Sequence, residues 1–395
     1  MGRPAMIKFT IVPSLAALLL SGLAAASPYL PASGAQVLER LPSRSDPVQR
    51  ALAQLRARLK TEPDNVALAA ELAQRYISLA RNDADPRYLG YAQAALAPWW
   101  GLADPPPQVL VLRATILQST HRFPQALADL DLLLRHDRNN GQAWITRATI
   151  LQVTGDFAGA KTSCARLFGQ AADLVIRTCL ASANSLSGAA RPSYLSLKMA
   201  FDGARHDDSA IDEWVLTLLA EMAARLGDYQ AADSHFRQAL ALAPGDTYLL
   251  GAYADFLLDR GRHAEVRALL QNQARADGLL LRHALALAAT PGQDASAETA
   301  MLRDRFQAAM LRGDTVHQRE QSRFELHLMK NPTLALSLAQ KNWAVQKEPA
   351  DVRVLLEAAA ASGDRAAARP VLDWLKQVKL EDASLAALVK TLEPA

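Results

Sequence analysis

Val48, Leu52, Leu55 and Leu59 are separated by polar and basic positions, the spacing of one face of an α-helix. Asp46 followed by Pro47 supplies a capping carboxylate and a proline for the first turn, so a helix is predicted from there to Lys60. From Asn65 onward helical segments follow in succession, punctuated by glycine, proline and short polar stretches. Alanine and leucine abound, and runs of Val, Ile and Thr of the kind that build strands are missing. The pattern predicts an all-α protein.

The pattern also repeats. Arg113-Ala114-Thr115-Ile116-Leu117-Gln118 returns as Arg147-Ala148-Thr149-Ile150-Leu151-Gln152, shifted by 34 residues. Phe123 meets Phe157, Ala126 meets Ala160 and Leu133 meets Leu167 at the same shift. A second pair keeps the period, with Leu216, Ala220 and Gly227 meeting Leu250, Ala254 and Gly261. A helix of about a dozen residues, a turn and a second such helix fill this period, so the repeating unit is a helical hairpin. Gly227 can take the left-handed conformation that ends a helix. Ala232 and Ala239 let two antiparallel helices approach closely, and Pro244 stops the second.

These residues carry a resemblance to the tetratricopeptide-repeat family. Its clearest unit here runs from Trp214 to Pro244, with Gly227, Tyr229, Ala232, Phe236 and Ala239 in the family's order. Trp144, Gly155, Phe157, Ala160 and Leu167 form the next. His121 stands where the glycine belongs, Val266 replaces the small residue before Leu270, and Gly363, Ala368, Leu372 and Leu375 restore the pattern. The resemblance covers residues 65–379. It implies an α-α superhelical solenoid of about nine tetratricopeptide-like hairpins, closed by capping helices at both ends.

In the family, the first helices of successive units line a concave groove that holds a protein or peptide partner. By register the groove residues are Gln108, Val111, Thr115 and Gln118, then Gln142, Ile145, Thr149 and Gln152. Glutamine and threonine offer donors and acceptors to an extended peptide without demanding charge. They are equally ordinary exposed helix residues. Glu221, Tyr248, Asp255 and Asp259 extend the groove as an acidic, partly aromatic stretch that hints at a basic partner segment. The carboxylate clamp of some family members is not carried over, because Val111 with Thr115 and Ile145 with Thr149 occupy its positions. Asp129 and Arg166 are expected on the convex side.

Catalytic motifs do not emerge. No phosphate-binding glycine loop, H-E-x-x-H, C-x-x-C or nucleophile-elbow serine occurs. The eight histidines are scattered, and His317 and His327 lie almost three turns apart on one predicted helix, too far to share a metal. No metal site, cofactor or enzymatic activity is expected. The net charge of +3 is too small for a nucleic-acid surface.

Arg3 and Lys8 precede an apolar run over residues 9–23, and Ala24-Ala25-Ala26 follows the small-x-small cleavage rule. Residues 1–26 therefore read as a signal peptide, with a retained membrane anchor as the alternative. Cleavage removes two basic and no acidic residues, leaving +1. The mature chain is expected in the periplasm, or secreted, with no membrane span of its own. Residues 27–45, rich in proline and serine, read as a flexible linker. Polar breaks at residues 203–210 and 290–297 interrupt the stack; the first divides N-terminal repeats (46–205) from C-terminal repeats (206–395). A last helix is expected from Ala383 to Leu392.

Cys164 and Cys179, the two cysteines, lie on helices that pack together, so a disulfide is sterically possible. Against it, Cys179 aligns with Thr115 and Thr149 on the groove face. Residues 97–107 are too rich in proline to be regular helix. Within them Trp99 and Trp100 form either a docking loop or a cover over the apolar seam between the first two units. The function expected from all this is an exported, soluble repeat scaffold that binds a partner protein or peptide in its groove, in cell-envelope complex assembly. The alternative is a structural spacer in a polysaccharide or peptidoglycan secretion apparatus.

Overall fold

The protein is described by a computed structural model covering Ser33 and residues 46–393. The proposed signal peptide and all of the linker but Ser33 lie outside the described residues. Among the described residues, 51–393 form one compact unit.

The described residues contain 21 helices and no strand. Helix α1 (Pro47–Thr61) comes first, followed by the hairpin α2 (Val66–Asn82) and α3 (Arg87–Ala95) and the single turn α4 (Ala97–Trp100). Next come α5 (Pro107–Ser119) with α6 (Phe123–His136), and α7 (Gly141–Val153) with α8 (Phe157–Ala165). Then follow α9 (Asp173–Ser185) with α10 (Ala190–Asp202), and α11 (Ser209–Arg225) with α12 (Tyr229–Leu242). The pairs α13 (Thr247–Asp259) with α14 (His263–Leu270), and α15 (Asp277–Ala288) with α16 (Ser296–Leu311), continue the stack. It closes with α17 (Gln318–His327) and α18 (Pro332–Trp343), α19 (Pro349–Ser362) and α20 (Arg365–Val378), and α21 (Ala386–Leu392). Nine hairpins thus stand between the terminal helices α1 and α21.

The 34-residue period is visible in the turns. The amides of Arg122, Asp156, Asp228 and Arg262 donate to the carbonyls of Leu117, Leu151, Ala223 and Leu257, at 2.8, 2.7, 2.9 and 2.9 Å. That bond to the carbonyl five residues back closes each first helix and requires a left-handed residue just before the donor. Gly155, Gly227 and Gly261 take it with φ of 87°, 79° and 67°. His121, which departs from the family's glycine, takes it too at φ 55°; histidine is among the residues that visit this region more readily. The next helix then starts on a side-chain cap where the sequence supplies one: Asp156 accepts from Gly159 N and Asp228 from Ala231 N.

Packing follows the same period. Ala126, Ala160 and Ala232 have no exposed surface, and Val266, the larger residue in that slot, is equally buried. Leu133 and Leu167 are also fully buried. The largest apolar cluster joins Ala181 and Leu197 to Val215, Phe236, Leu250 and Leu279, so it runs on past the polar segment at 203–210. At the ends, Leu52 and Leu55 of α1 cover the first hairpin, and Leu385 and Leu392 cover α19.

Two boundaries differ from expectation. Residues 97–100 do form a helical turn, because Pro98 sits in its first turn, where no amide is needed. The last helix starts at Ala386, not Ala383: Asp382 accepts from the Ser384 amide in a turn, and the Ala383 amide is bonded elsewhere in the fold.

Candidate functional site: a charged lumen closed by a seam

The first helices of the hairpins face inward around a cavity of about 780 Å³. Gln152 of α7, Ser182 of α9, Glu221 of α11, Tyr248, Asp255 and Asp259 of α13, and Arg282 of α15 line it, with Arg319 of α17 and Glu348 beside α19. The curvature is tight enough for helices two and three hairpins apart to touch.

Its charges are mostly satisfied internally. Asp255 accepts from Arg282 at 2.5 Å and from Arg323 of α17 at 2.9 Å. Burial works against the Asp255 charge, but the two guanidinium groups override it and hold its carboxyl well below the usual carboxylate range. Asp259 accepts from Arg353 of α19 at 2.6 Å, across 94 residues of chain. Arg353 also donates to Glu357 at 2.7 Å, and the other Glu357 oxygen lies 3.1 Å from His327. Arg319 donates to Glu348 at 2.9 Å and to Asp351 at 3.3 Å. The acidic stretch expected to meet a basic partner is therefore neutralised by arginines of the later hairpins at two of its three carboxylates.

Glu221 is the exception. Tyr248 donates to it at 2.7 Å, and no cation pairs with it among the described residues. Loss of solvent raises the Glu221 carboxyl, and the Glu221 charge in turn raises the Tyr248 phenol well above its ordinary value.

One side of the ring is a seam. The Lys347 amide donates to Val153 O at 2.8 Å, and the Ala383 amide to Arg225 O at 2.8 Å. The Ala190 amide donates to Glu381 Oε1 at 2.9 Å. The Phe157 and Trp374 rings meet at 6.1 Å between centroids. The chain from α18 to α21 thus closes against the turns of the third, fourth and fifth hairpins.

Of the expected groove residues, Gln152, Glu221, Tyr248, Asp255 and Asp259 line the lumen. Gln108, Val111, Thr115, Gln118, Gln142, Ile145 and Thr149 do not line this cavity, although Ser119, next to Gln118, does. Thr115 and Thr149 donate their hydroxyls to their own helices, at Val111 O and Ile145 O. Val111 and Ile145 pack against apolar clusters. The lumen arginines Arg282 and Arg319, and Arg323 and Arg353 that pair with lumen carboxylates, were not among the residues expected from the sequence. Arg282, Arg319 and Arg323 lie in units without a turn motif of the family's kind, and Arg353, in the unit that Gly363 restores, meets its partner only across 94 residues of chain.

Cys164 and Cys179 are joined in a disulfide with Cα atoms 5.6 Å apart. Cys179 is buried against Ala148, Leu167 and Ile176, and so faces the preceding hairpin instead of the groove. Trp99 and Trp100 are half-buried and pack over the clusters of the first two hairpins, the covering arrangement of the two considered. Asp129 is not a convex surface residue: it is buried and bonded to Arg113. Among the described residues no group of acidic, histidine or cysteine side chains is placed to hold a metal, and no helix is long and apolar enough to cross a membrane.

Stacked helical hairpins around an inward-facing surface define an all-α repeat scaffold of the class that engages other proteins. Residues 192–297 match the tetratricopeptide-repeat family model. The hairpins over those residues are tetratricopeptide repeats by that match, and hairpins of the same kind continue on either side among the described residues. Among solved structures, yeast Tom70 is similar at 12% identity and a TM-score of 0.31, over 87% of this chain and 92% of that one. The tetratricopeptide-repeat domain of P58(IPK) is similar at 14% identity and a TM-score of 0.21, over 80% and 94%. No curated protein matches the sequence.

Proposed function

We propose that the chain is an exported scaffold that holds an extended segment of a partner protein in its lumen, in the assembly of a cell-envelope complex. The observation that carries this reading is the cavity of about 780 Å³ built mostly from first helices, with Gln152, Tyr248 and Glu221 lining it. Side chains of this kind can satisfy a peptide backbone, and Glu221 has capacity left for a donor. Export is supported by the basic start, apolar run and alanine cleavage site of residues 1–26, and by a disulfide, which suits an oxidising compartment.

A photo-crosslinking residue placed at Gln152 or Tyr248 in the native host should trap one discrete partner, whereas the same residue at exposed Arg166 should not. Crosslinks from Trp99 or Trp100 with none from the lumen would move the binding surface to the tryptophan turn. Export is read separately, by N-terminal sequencing of the native protein. A start at Ser27, within a residue or two, is expected, and a cytoplasmic protein retaining Met1 would end the export proposal.

A further inference from the structure

We propose that Glu221 and Tyr248 form an anchor for one basic side chain, a lysine or an arginine, of the segment held in the lumen. The proposal rests on the lumen being the partner's site and names the chemistry that this site selects. Glu221 and Arg225 stand one turn apart on α11, the spacing at which opposite charges ordinarily pair. Here they are drawn apart. Arg225 donates to Ser185 Oγ of α9 at 3.1 Å, while Glu221 Oε1 accepts from the Tyr248 hydroxyl at 2.7 Å. Glu221 Oε2 accepts no hydrogen bond among the described residues, and the side chain is half-buried in the cavity wall.

The surroundings also call for a cation. Glu348, whose charge bears on both Glu221 and Tyr248, shares the single guanidinium of Arg319 with Glu320 and Asp351, at 2.9, 3.3 and 3.3 Å. Carboxylate is therefore in excess along that part of the wall. Loss of solvent raises the Glu221 carboxyl, Arg225 pulls it back by less, and Glu348 adds to the rise. A neutral segment laid over Glu221 strips water from a carboxylate and returns no charge. An ammonium or guanidinium group returns a charge-assisted hydrogen bond. Tyr248 is 61% exposed, so its ring offers a face for the aliphatic stem and the cation it carries.

The test pans random peptides of about twelve residues, displayed on phage, against the full chain with its native disulfide. Peptides recovered on the wild type should share one lysine or arginine position, and those recovered on Glu221→Gln should not. In calorimetry, replacing that base by norleucine should weaken binding to the wild type about tenfold, the usual worth of a charge-assisted hydrogen bond. The same replacement should leave binding to Glu221→Gln unchanged. The norleucine comparison on the wild type needs no variant protein, so it stands even where Glu221→Gln folds poorly. Recovered peptides with no shared base, or an equal loss on the wild type and on Glu221→Gln, overturn the anchor. A benzophenone carried by the peptide reports where it sits. Labelling of the lumen without dependence on a base overturns the anchor alone, whereas labelling confined to the Trp99 turn or the outer surface overturns the lumen reading with it.

Discussion

Arg113 of α5 and Asp129 of α6 meet in a two-pronged ion pair at 2.7 and 2.6 Å, with each side chain only 11% exposed. Arg113 also donates to the Trp100 and Leu102 carbonyls, so one guanidinium ties the tryptophan turn to both helices of its hairpin. One repeat later, Arg147 reaches the equivalent position, but there it finds Ser163 and the more exposed Asp131. Asp129→Ala strands a buried guanidinium and should lower stability by about 3–5 kcal/mol. Asp131→Ala, at a wetter pair, should lower it by roughly 1 kcal/mol or less. Urea unfolding of the two variants separates the cases, and equal midpoints would show that the Arg113 pair is not structural.

The repeat register makes a sharper prediction within one helix. Ala232 has no exposed surface and lies in the largest apolar cluster, while its neighbour Ala231 is half-buried at the edge of it. Ala232→Leu should cost about 1–3 kcal/mol by forcing α11 and α12 apart. Ala231→Leu should be much milder. Melting temperatures of the two variants are the measurement, and a matched drop would mean the interhelical slot is misassigned.

The Cys164–Cys179 bridge links α8 to α9 and closes a loop of sequence separation 15. Closure of a loop of that size restricts the unfolded chain by about 3 kcal/mol. A Cys164→Ser, Cys179→Ser variant should therefore melt earlier while keeping its helical circular-dichroism signal. Wild-type protein in reductant should fall to the same melting temperature. A reductant-insensitive melt would show that the bridge adds nothing to stability.

Acid should loosen the lumen. Burial opposes the Glu357 charge, but hydrogen bonding to His327 and the adjacent Arg353 outweigh it and hold the carboxyl at about 2. Asp255 is depressed in the same direction by Arg282 and Arg323. Carboxyls with folded values below the unfolded value of about 4 stabilise the fold fully above that value. They lose that contribution as pH falls through the folded value. Stability should therefore decline between roughly pH 5 and pH 2, and Glu357→Gln should flatten part of the decline. Denaturant midpoints across that range decide it; an unchanged slope in the variant would remove Glu357 from the account.

The repeat was legible because its cause is local. Gly227, Gly155 and Gly261 end first helices, alanines at 126, 160 and 232 admit the second, and each acts through neighbours within one hairpin. His121 was readable as an exception but not as a left-handed one, since a side chain does not announce its φ. The lumen was legible in part: Gln152, Glu221, Tyr248, Asp255 and Asp259 all followed from register. Their partners did not, because Asp255 to Arg323 and Asp259 to Arg353 span 68 and 94 residues.

By itself, then, the amino-acid sequence determined the helices and their pairing into hairpins, consequences of contacts between adjacent elements. Whether the stack stays open or closes was decided only in the tertiary structure. Small rotations between successive hairpins accumulate along a solenoid, and their sum brings Lys347, Trp374 and Glu381 against turns nearly two hundred residues earlier. No local spacing encodes that sum. The same accumulated curvature turned an acidic strip into a neutralised lumen and set a seam at its edge.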